Sequence, residues 1–389
     1  MVDAGRITVC HVLEATEGGT RQYLNDVLLG LPADRFEQTA VVSTLRAPEF
    51  AEDIERFREA GVSVEVVEMV REIDREQDMR AYRELRAFFR ANEFDVIHTH
   101  SSKAGFLGRV AAWRARNPAV RVHSPHAFAF EMNAAPWRRL LFRTLERLTG
   151  RLTHLLVCTC EGEREIAVRN RIVPPGRAAV VRTGVDLKRF HPQPHAHRIR
   201  EEIGLPARHR IVGTVGAIVE QKGHRALVEA APAVIEEMPH TTFVIVGGGE
   251  LREELEARVN ELGLGRRFRF LGYRDDVPRV LATFDLFVMP SLWEGMPYAL
   301  VEAMAVGVPV VGSDIPGIAD IVRPRQTGRL APPGDPAALA DTILTALRED
   351  GKSATMAETA RGMVMSEHSR KRMLASLTAC YVRLMEDRA

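Results

Sequence analysis

Two glutamates, Glu294 and Glu302, stand eight residues apart in the stretch Pro290-Ser-Leu-Trp-Glu-Gly-Met-Pro-Tyr-Ala-Leu-Val-Glu302. Carboxylates accept hydrogen bonds from hydroxyls, as an acidic residue does with the ribose of a dinucleotide. The apolar run Leu286 to Met289 predicts a strand ahead of them, and Pro297 suits the first turn of a helix, with Gly295 removing bulk just before it. A turn of that kind leaves free N–H groups and the positive end of the helix dipole at the carboxyl end of a strand, where an anion can sit. A phosphate flanked by polyols is a nucleotide-sugar. Taken alone, the spacing reads more readily as a solvated helix face, so other segments must decide.

Further chemistry-bearing residues follow apolar runs in the same way. Val96-Ile97 leads into His98-Thr-His100-Ser101-Ser-Lys103, and Arg121-Val122 into His123-Ser-Pro-His126. Glu17-Gly18-Gly19-Thr20 follows Ile7 to Leu13, where two glycines let the backbone approach a phosphate or sugar, or simply make a tight turn. Ile211 to Ile218 leads to Glu220-Gln-Lys222-Gly, and a lysine before a helix is a point charge for a diphosphate. A zinc site at His98 and His100 is disfavoured, and no metal is expected. Val244-Ile-Val-Gly-Gly-Gly249 tempts a dinucleotide reading, but the third glycine would fall at Arg252, so NAD is excluded.

These segments need rigid elements to hold them. Apolar runs recur at 7–13, 39–43, 62–67, 96–99, 120–124 and 155–158, and a second series starts at Ile211. Repeated βα units predict α/β architecture with doubly wound sheets, whose ligands gather at the carboxyl ends of the strands. A length of 389 residues implies two domains. The net charge of +1 gives no reason to invoke nucleic acid. Charge is uneven, however: residues 1–100 hold 12 Lys/Arg against 20 Asp/Glu, and 101–188 hold 16 against 6. Cys10, Cys158, Cys160 and Cys380 form no disulfide framework and read as buried thiols. Ala135 to Leu152 interleaves Trp137 and leucines with five arginines; its pattern favours leucines packed inward, against a second reading as a basic face for an anionic bilayer or a pyrophosphate acceptor. No signal-peptide core and no apolar run of about 18 residues appears, so the expected location is cytoplasmic, with peripheral contact at the inner membrane face as the alternative.

Glu-x7-Glu around Gly-Met-Pro, Asp95-Val-Ile-His-x-His-Ser-Ser-Lys-Ala-Gly105 and Ser124-Pro-His-Ala-Phe128, in that spatial logic and over nearly the whole chain, resemble the retaining, metal-independent glycosyltransferases of the GT-B fold, family 4. Met69-Val-Arg-Glu-Ile73 is similar to a subset that builds bacterial surface polysaccharides. The resemblance implies two Rossmann-like domains facing a central cleft. They are an acceptor-side domain at 1–188 and a nucleotide-sugar domain at 189–366, with a C-terminal helix at 367–389 crossing back to the first. It implies transfer of a hexosyl or N-acetylhexosaminyl group from a nucleoside diphosphate sugar, UDP by family habit, to a carbohydrate or lipid-linked hydroxyl acceptor. No cofactor is implied.

By the same resemblance His126 contacts the transferred sugar, Glu294 a donor-sugar hydroxyl and Glu302 the ribose. Lys222, the backbone of Gly295, Met296, Pro297 and Tyr298, and Gly19 stabilise the departing diphosphate. The segment Gly272-Tyr273-Arg274 meets the base, and Gly18, His100, Ser101 and Lys103 lie on the acceptor side. The chain departs from the family where Ala217 stands in place of an arginine, with Arg274 as one candidate to compensate. Two other readings compete: a nucleotide-sugar epimerase or hydrolase on the same fold, and a non-catalytic nucleotide-binding partner subunit.

Overall fold

The structure, a computed structural model, describes residues 5–47, 49–132, 135–194 and 196–388. The chain divides into two compact units, residues 1–182 with 371–389, and residues 183–370.

The first unit is built on seven parallel strands: β1 (Ile7–Leu13), β2 (Phe36–Val42), β3 (Ser63–Val66), β4 (Val96–His100), β5 (Val120–Ser124), β6 (Leu155–Cys158) and β7 (Ala178–Val180). Their order is β3-β2-β1-β4-β5-β6-β7, so the winding reverses between β1 and β4. β4 and β5 are buried along nearly their whole length, as strands covered on both faces must be. Apolar residues of helices Arg75–Ala91 and Ser102–Ala115 close one side of the sheet, with Leu85, Phe89, Leu107 and Ala111 against Cys10, Val12 and Ile97. Helix Arg370–Glu386 joins this unit and buries Met373, Leu377 and Tyr381, three of the residues whose helical spacing is visible in the sequence.

The second unit has six parallel strands: β8 (Arg210–Val215), β9 (Thr241–Val246), β10 (Phe268–Gly272), β11 (Leu286–Met289), β12 (Val310–Ser313) and β13 (Arg329–Ala331). The order β10-β9-β8-β11-β12-β13 again reverses once, between β8 and β11. In open sheets of this kind the loops at the reversal part to opposite sides and leave a crevice beyond the carboxyl ends of the two central strands. The sequence motifs fall there in both units: Gly18-Gly19 and Ser101 after β1 and β4, Lys222 and Glu294 after β8 and β11.

One expectation is overturned. Helix Pro136–Gly150 does not pack its leucines inward: Trp137, Leu140, Leu141 and Leu148 are exposed, while Glu146, Thr149 and Gly150 are buried. The reason is Arg109, wholly buried on helix Ser102–Ala115. A buried guanidinium needs a carboxylate and further acceptors. Glu146 Oε2 accepts from its Nη2 at 3.0 Å, Thr153 Oγ1 from Nη1 at 3.1 Å and Gly105 O from Nε at 2.7 Å. That ion pair fixes which side of the helix faces in.

Candidate active site

In the second unit the site forms at the turn between β11 and helix Tyr298–Val306. The helix is apolar on every side and buried throughout almost its length, so it is held inside the unit with its N-terminus at the strand end. Pro297, with φ −73°, is the residue just before the helix rather than within it. Glu302 sits on the buried helix at 6 % exposure. Glu294 lies in the turn, where its Oε1 accepts from Lys222 Nζ at 2.5 Å and from Ser291 Oγ at 2.9 Å. Gln221 Nε2 donates to Trp293 O at 3.0 Å, and Leu292 N to Gln221 O at 2.8 Å, so the turn is tied to the short Glu220–Lys222 helix after β8.

Two glycines, Gly223 and Gly317, set the shape of this turn. Gly223 has φ +64°, and a Cβ there would lie 1.9 Å from Pro290 O. A Cβ on Gly317 would lie 1.3 Å from Gly295 O. The turn is therefore wedged between backbone on two sides. Tyr273, after Gly272 at φ +69°, is 84 % exposed. Arg274 donates to both carboxylate oxygens of Asp276, from Nε at 2.7 Å and Nη2 at 2.9 Å. The guanidinium named as compensation for Ala217 is thus already occupied, and Ala217 itself is exposed.

In the first unit β4 runs through to His100, so His98 and His100, two apart, share a face. His11 of β1 is level with His98 in the ladder, and His100 with Ser124 of β5. His100 thereby lies between two other imidazoles: its Nε2 is 3.1 Å from His11 Nδ1 and its Nδ1 is 3.1 Å from His126 Nε2. His98 is clamped by Tyr381 Oη at 2.6 Å and Ser124 Oγ at 2.9 Å, which ties the C-terminal helix to the strand ends. Tyr23, on helix Gly18–Leu28, sets its ring edge-on to His126 with centroids 4.7 Å apart.

His126 and Ala127 both have positive φ, 56° and 97°. Left-handed backbone at two non-glycine residues costs on the order of 1–3 kcal/mol each and needs outside support. Glu163 provides it: Oε1 accepts from Ala127 N at 2.8 Å, and Oε2 from Thr159 N at 2.6 Å. Burial pushes His126 down to about 4 and His11 to about 3, and holds His98, His100 and His123 well below the usual imidazole range. The cluster is neutral above the acid range.

Gly18, expected on the acceptor side, and Gly19, expected at the diphosphate, open helix Gly18–Leu28 rather than preceding it. Ser101, at φ 60°, precedes helix Ser102–Ala115. Lys103 is engaged elsewhere, donating to Asp78 Oδ1 at 2.5 Å and Glu72 O at 2.6 Å. His11, His98 and His100 bring ring nitrogens within 4.8 Å of one another. His11 was hidden in the sequence inside an apolar strand; the alternation of residues along β1 was the one signal of its facing.

Residues 18–184 match the glycosyl transferase 4-like domain and residues 209–349 the glycosyl transferases group 1. The chain belongs to this family, the family 4 glycosyltransferases with the GT-B fold. Among its relatives, the Escherichia coli UDP-Gal:α-D-GlcNAc-diphosphoundecaprenol α-1,3-galactosyltransferase is 38 % identical over 253 residues, 64 % of this chain and 65 % of the relative. The putative glycosyltransferase EpsD of Bacillus subtilis is 28 % identical over 271 residues, 69 % of this chain and 71 % of that protein. The chain is also similar in fold to Anabaena HepE in complex with UDP and glucose, with a TM-score of 0.81 at 21 % identity, covering 97 % of this chain and all of that one.

Proposed function

We propose that this protein is a glycosyltransferase that moves a hexosyl or N-acetylhexosaminyl group from a UDP-sugar to a hydroxyl of a lipid-diphosphate-linked acceptor, in cell-surface polysaccharide or glycolipid synthesis. The observation that carries the reading is the convergence of Lys222, Glu294 and the N-terminus of the Glu302 helix on one turn at the reversal point of the second sheet. The 38 % identity to a galactosyltransferase acting on a diphosphoundecaprenol-linked sugar supports the donor and acceptor classes.

In this reading Glu302 holds the ribose hydroxyls, and the Gly272–Arg274 backbone meets the base. The Lys222–Glu294 ion pair opens when the donor binds: the ammonium goes to the diphosphate, and the carboxylate to a sugar hydroxyl. The acceptor oxygen bonds to the anomeric carbon as the bond from that carbon to the phosphate oxygen breaks. The electron pair goes to the phosphate, which takes the acceptor proton on the same face, so configuration is retained. Lys222 and the backbone N–H groups of Gly295, Met296 and Tyr298 stabilise the growing charge without a metal ion, as oxyanion-hole donors do. His126 orients the transferred sugar, and Gly19 adds a backbone donor.

No helix among the described residues is long and apolar enough to cross a membrane. The outward Trp137, Leu140, Leu141 and Leu148, beside exposed Arg138 and Arg139, support a peripheral contact with an anionic bilayer at the cytoplasmic face. Pelleting with anionic but not neutral liposomes is the expected result; equal pelleting on both removes the electrostatic contact.

The test of activity is conversion of GlcNAc-α-diphosphoundecaprenol by UDP-galactose, UDP-glucose or UDP-GlcNAc with EDTA present, with the anomer of the product read by NMR. Transfer with retention is expected; transfer that needs an added divalent ion, or inversion, contradicts the mechanism. Ala217 and the Arg274–Asp276 pairing favour one second reading, a nucleotide-binding subunit without turnover. UDP binding with no transfer by wild type or Ala217→Arg would support it, whereas donor loss without acceptor would mark a hydrolase or epimerase.

A further inference from the structure

The sugar-orienting role of His126 leaves open which of its ring nitrogens carries the proton, and the imidazoles behind it bear on that question. His11, His100 and His126 form an unbroken hydrogen-bonded line, Nδ1 to Nε2 at 3.1 Å in each step. Two neutral arrangements satisfy both contacts. Either every ring carries its proton on Nδ1 and donates towards His126, or every ring carries it on Nε2 and donates towards His11. The two differ at the inner end, where His11 Nε2 is buried with no hydrogen-bond partner. In the second arrangement that atom is a buried orphaned N–H, whereas in the first it is an unused lone pair. Buried N–H groups without an acceptor are rarer and costlier than acceptors left unfilled.

We propose that His11 and His100 are positioning residues that lock His126 in its Nδ1–H tautomer, so that the ring offers a fixed N–H donor to a hydroxyl oxygen of the transferred sugar. His126 Nδ1 has no hydrogen-bond partner among the described residues, while Nε2 is spent on His100. Tyr23, edge-on at 4.7 Å, hinders the ring flip that would exchange the two nitrogens. The Glu163 contact to Ala127 N fixes the backbone beneath. Neutral His100 and His126 keep this pattern, because a second proton, on Nε2 of either ring, would set that N–H against the Nδ1–H of the ring behind it. Burial supplies that neutrality. An overlapping trio, His11, His98 and His100, could be taken for a cation site, but His98 and His100 already use both ring nitrogens, and no carboxylate belongs to the group.

The donor role rests on the glycosyltransferase reading; the tautomer does not, and it can be measured without substrate. Protein labelled with 15N-histidine, examined by two-bond 15N–1H correlation at pH 7.5, should show His11, His100 and His126 each with a pyrrole-like Nδ1 and a pyridine-like Nε2. In His100→Leu the His126 signals should move towards a tautomeric mixture. In His100→Gln, whose carboxamide accepts at oxygen and donates at nitrogen, the wild-type pattern should return. His11→Asn serves as a second break-and-restore pair with His11→Leu should a His100 variant fail to fold.

An Nε2–H or averaged His126 in the wild type overturns the proposal. So does a His126 pattern indifferent to His100→Leu, or a shift of the His11, His98 and His100 signals saturating at one equivalent of Zn²⁺, which would make the cluster a metal site. In the transfer assay, His100→Leu should lower kcat with the donor KM kept, and His100→Gln should recover it. Absence of transfer by every form, with the tautomer pattern intact, would sink the glycosyltransferase reading and leave the positioning claim standing.

Discussion

The two sheets place their candidate site residues at equivalent points and equip them in opposite ways. At the carboxyl ends of β1 and β4 the first unit buries three imidazoles, His11, His98 and His100, with half-buried His126 in the loop after β5, and hydrogen bonds join His11, His100 and His126. Beyond β8 and β11 the second unit sets a full positive charge against a full negative one, Lys222 on Glu294. Burial without a countercharge keeps the first site neutral, whereas mutual pairing lets the second keep both charges at 22 % and 7 % side-chain exposure. A site that handles an uncharged sugar and one that handles a diphosphate would differ in this way.

Acid should separate the two most strongly. Unfolded imidazoles take up protons near pH 6.5, but folded His126 does so only at about 4 and His11 at about 3. The unfolded chain therefore holds more protons as pH falls, and stability is full above about 6.5 and lost below it, at up to about 1.4 kcal/mol per pH unit for each ring. His98, His100 and His123 act in the same direction. The second unit has His224, lowered to about 4 by burial, as its main counterpart. Hydrogen exchange at pH 5 and 7.5, corrected for intrinsic rates, should show the first unit losing far more protection; equal losses would break the contrast.

Gly317→Ala comes next. Its methyl would meet Gly295 O at 1.3 Å, so the turn must move, at a cost of about 3 kcal/mol or more. UDP-induced stabilisation should vanish while the first unit's exchange is unchanged; retained UDP binding would show that the wedge does not shape the site. On the proposed mechanism Lys222→Ala would remove one charge contact to the diphosphate and should slow transfer about a hundredfold. A smaller effect sharpens the ion-pair claim: Glu294→Gln frees Lys222, so UDP should bind as tightly as in the wild type or a few-fold tighter by calorimetry, while transfer slows. Weaker UDP binding in that variant would mean Glu294 serves the nucleotide rather than the sugar.

How far the residues reveal this in advance depends on what kind of contact is involved. The strand-then-turn rhythm exposes both reversal points, because apolar runs and the glycines, histidines and glutamates after them are local signals. Glu294, Glu302, Lys222 and His126 are legible for that reason. Gly317, Gly223, Glu163 and His11 are not, since each acts through a partner tens of residues away: Gly295, Pro290, Ala127 and His100. The helix at Pro136–Gly150 misleads for the same cause. Its amphipathic pattern is local, but its orientation is dictated by Arg109, which lies 37 residues from its partner Glu146.

The most direct test of the central claim is thermal stabilisation by UDP, GDP and ADP with EDTA present, in the wild type and Glu302→Ala, because a ligand that binds the folded state raises its apparent stability by mass action. The account predicts a shift with UDP that disappears in Glu302→Ala. No shift with any of the three at millimolar concentration, or a UDP shift that survives the substitution, would contradict it.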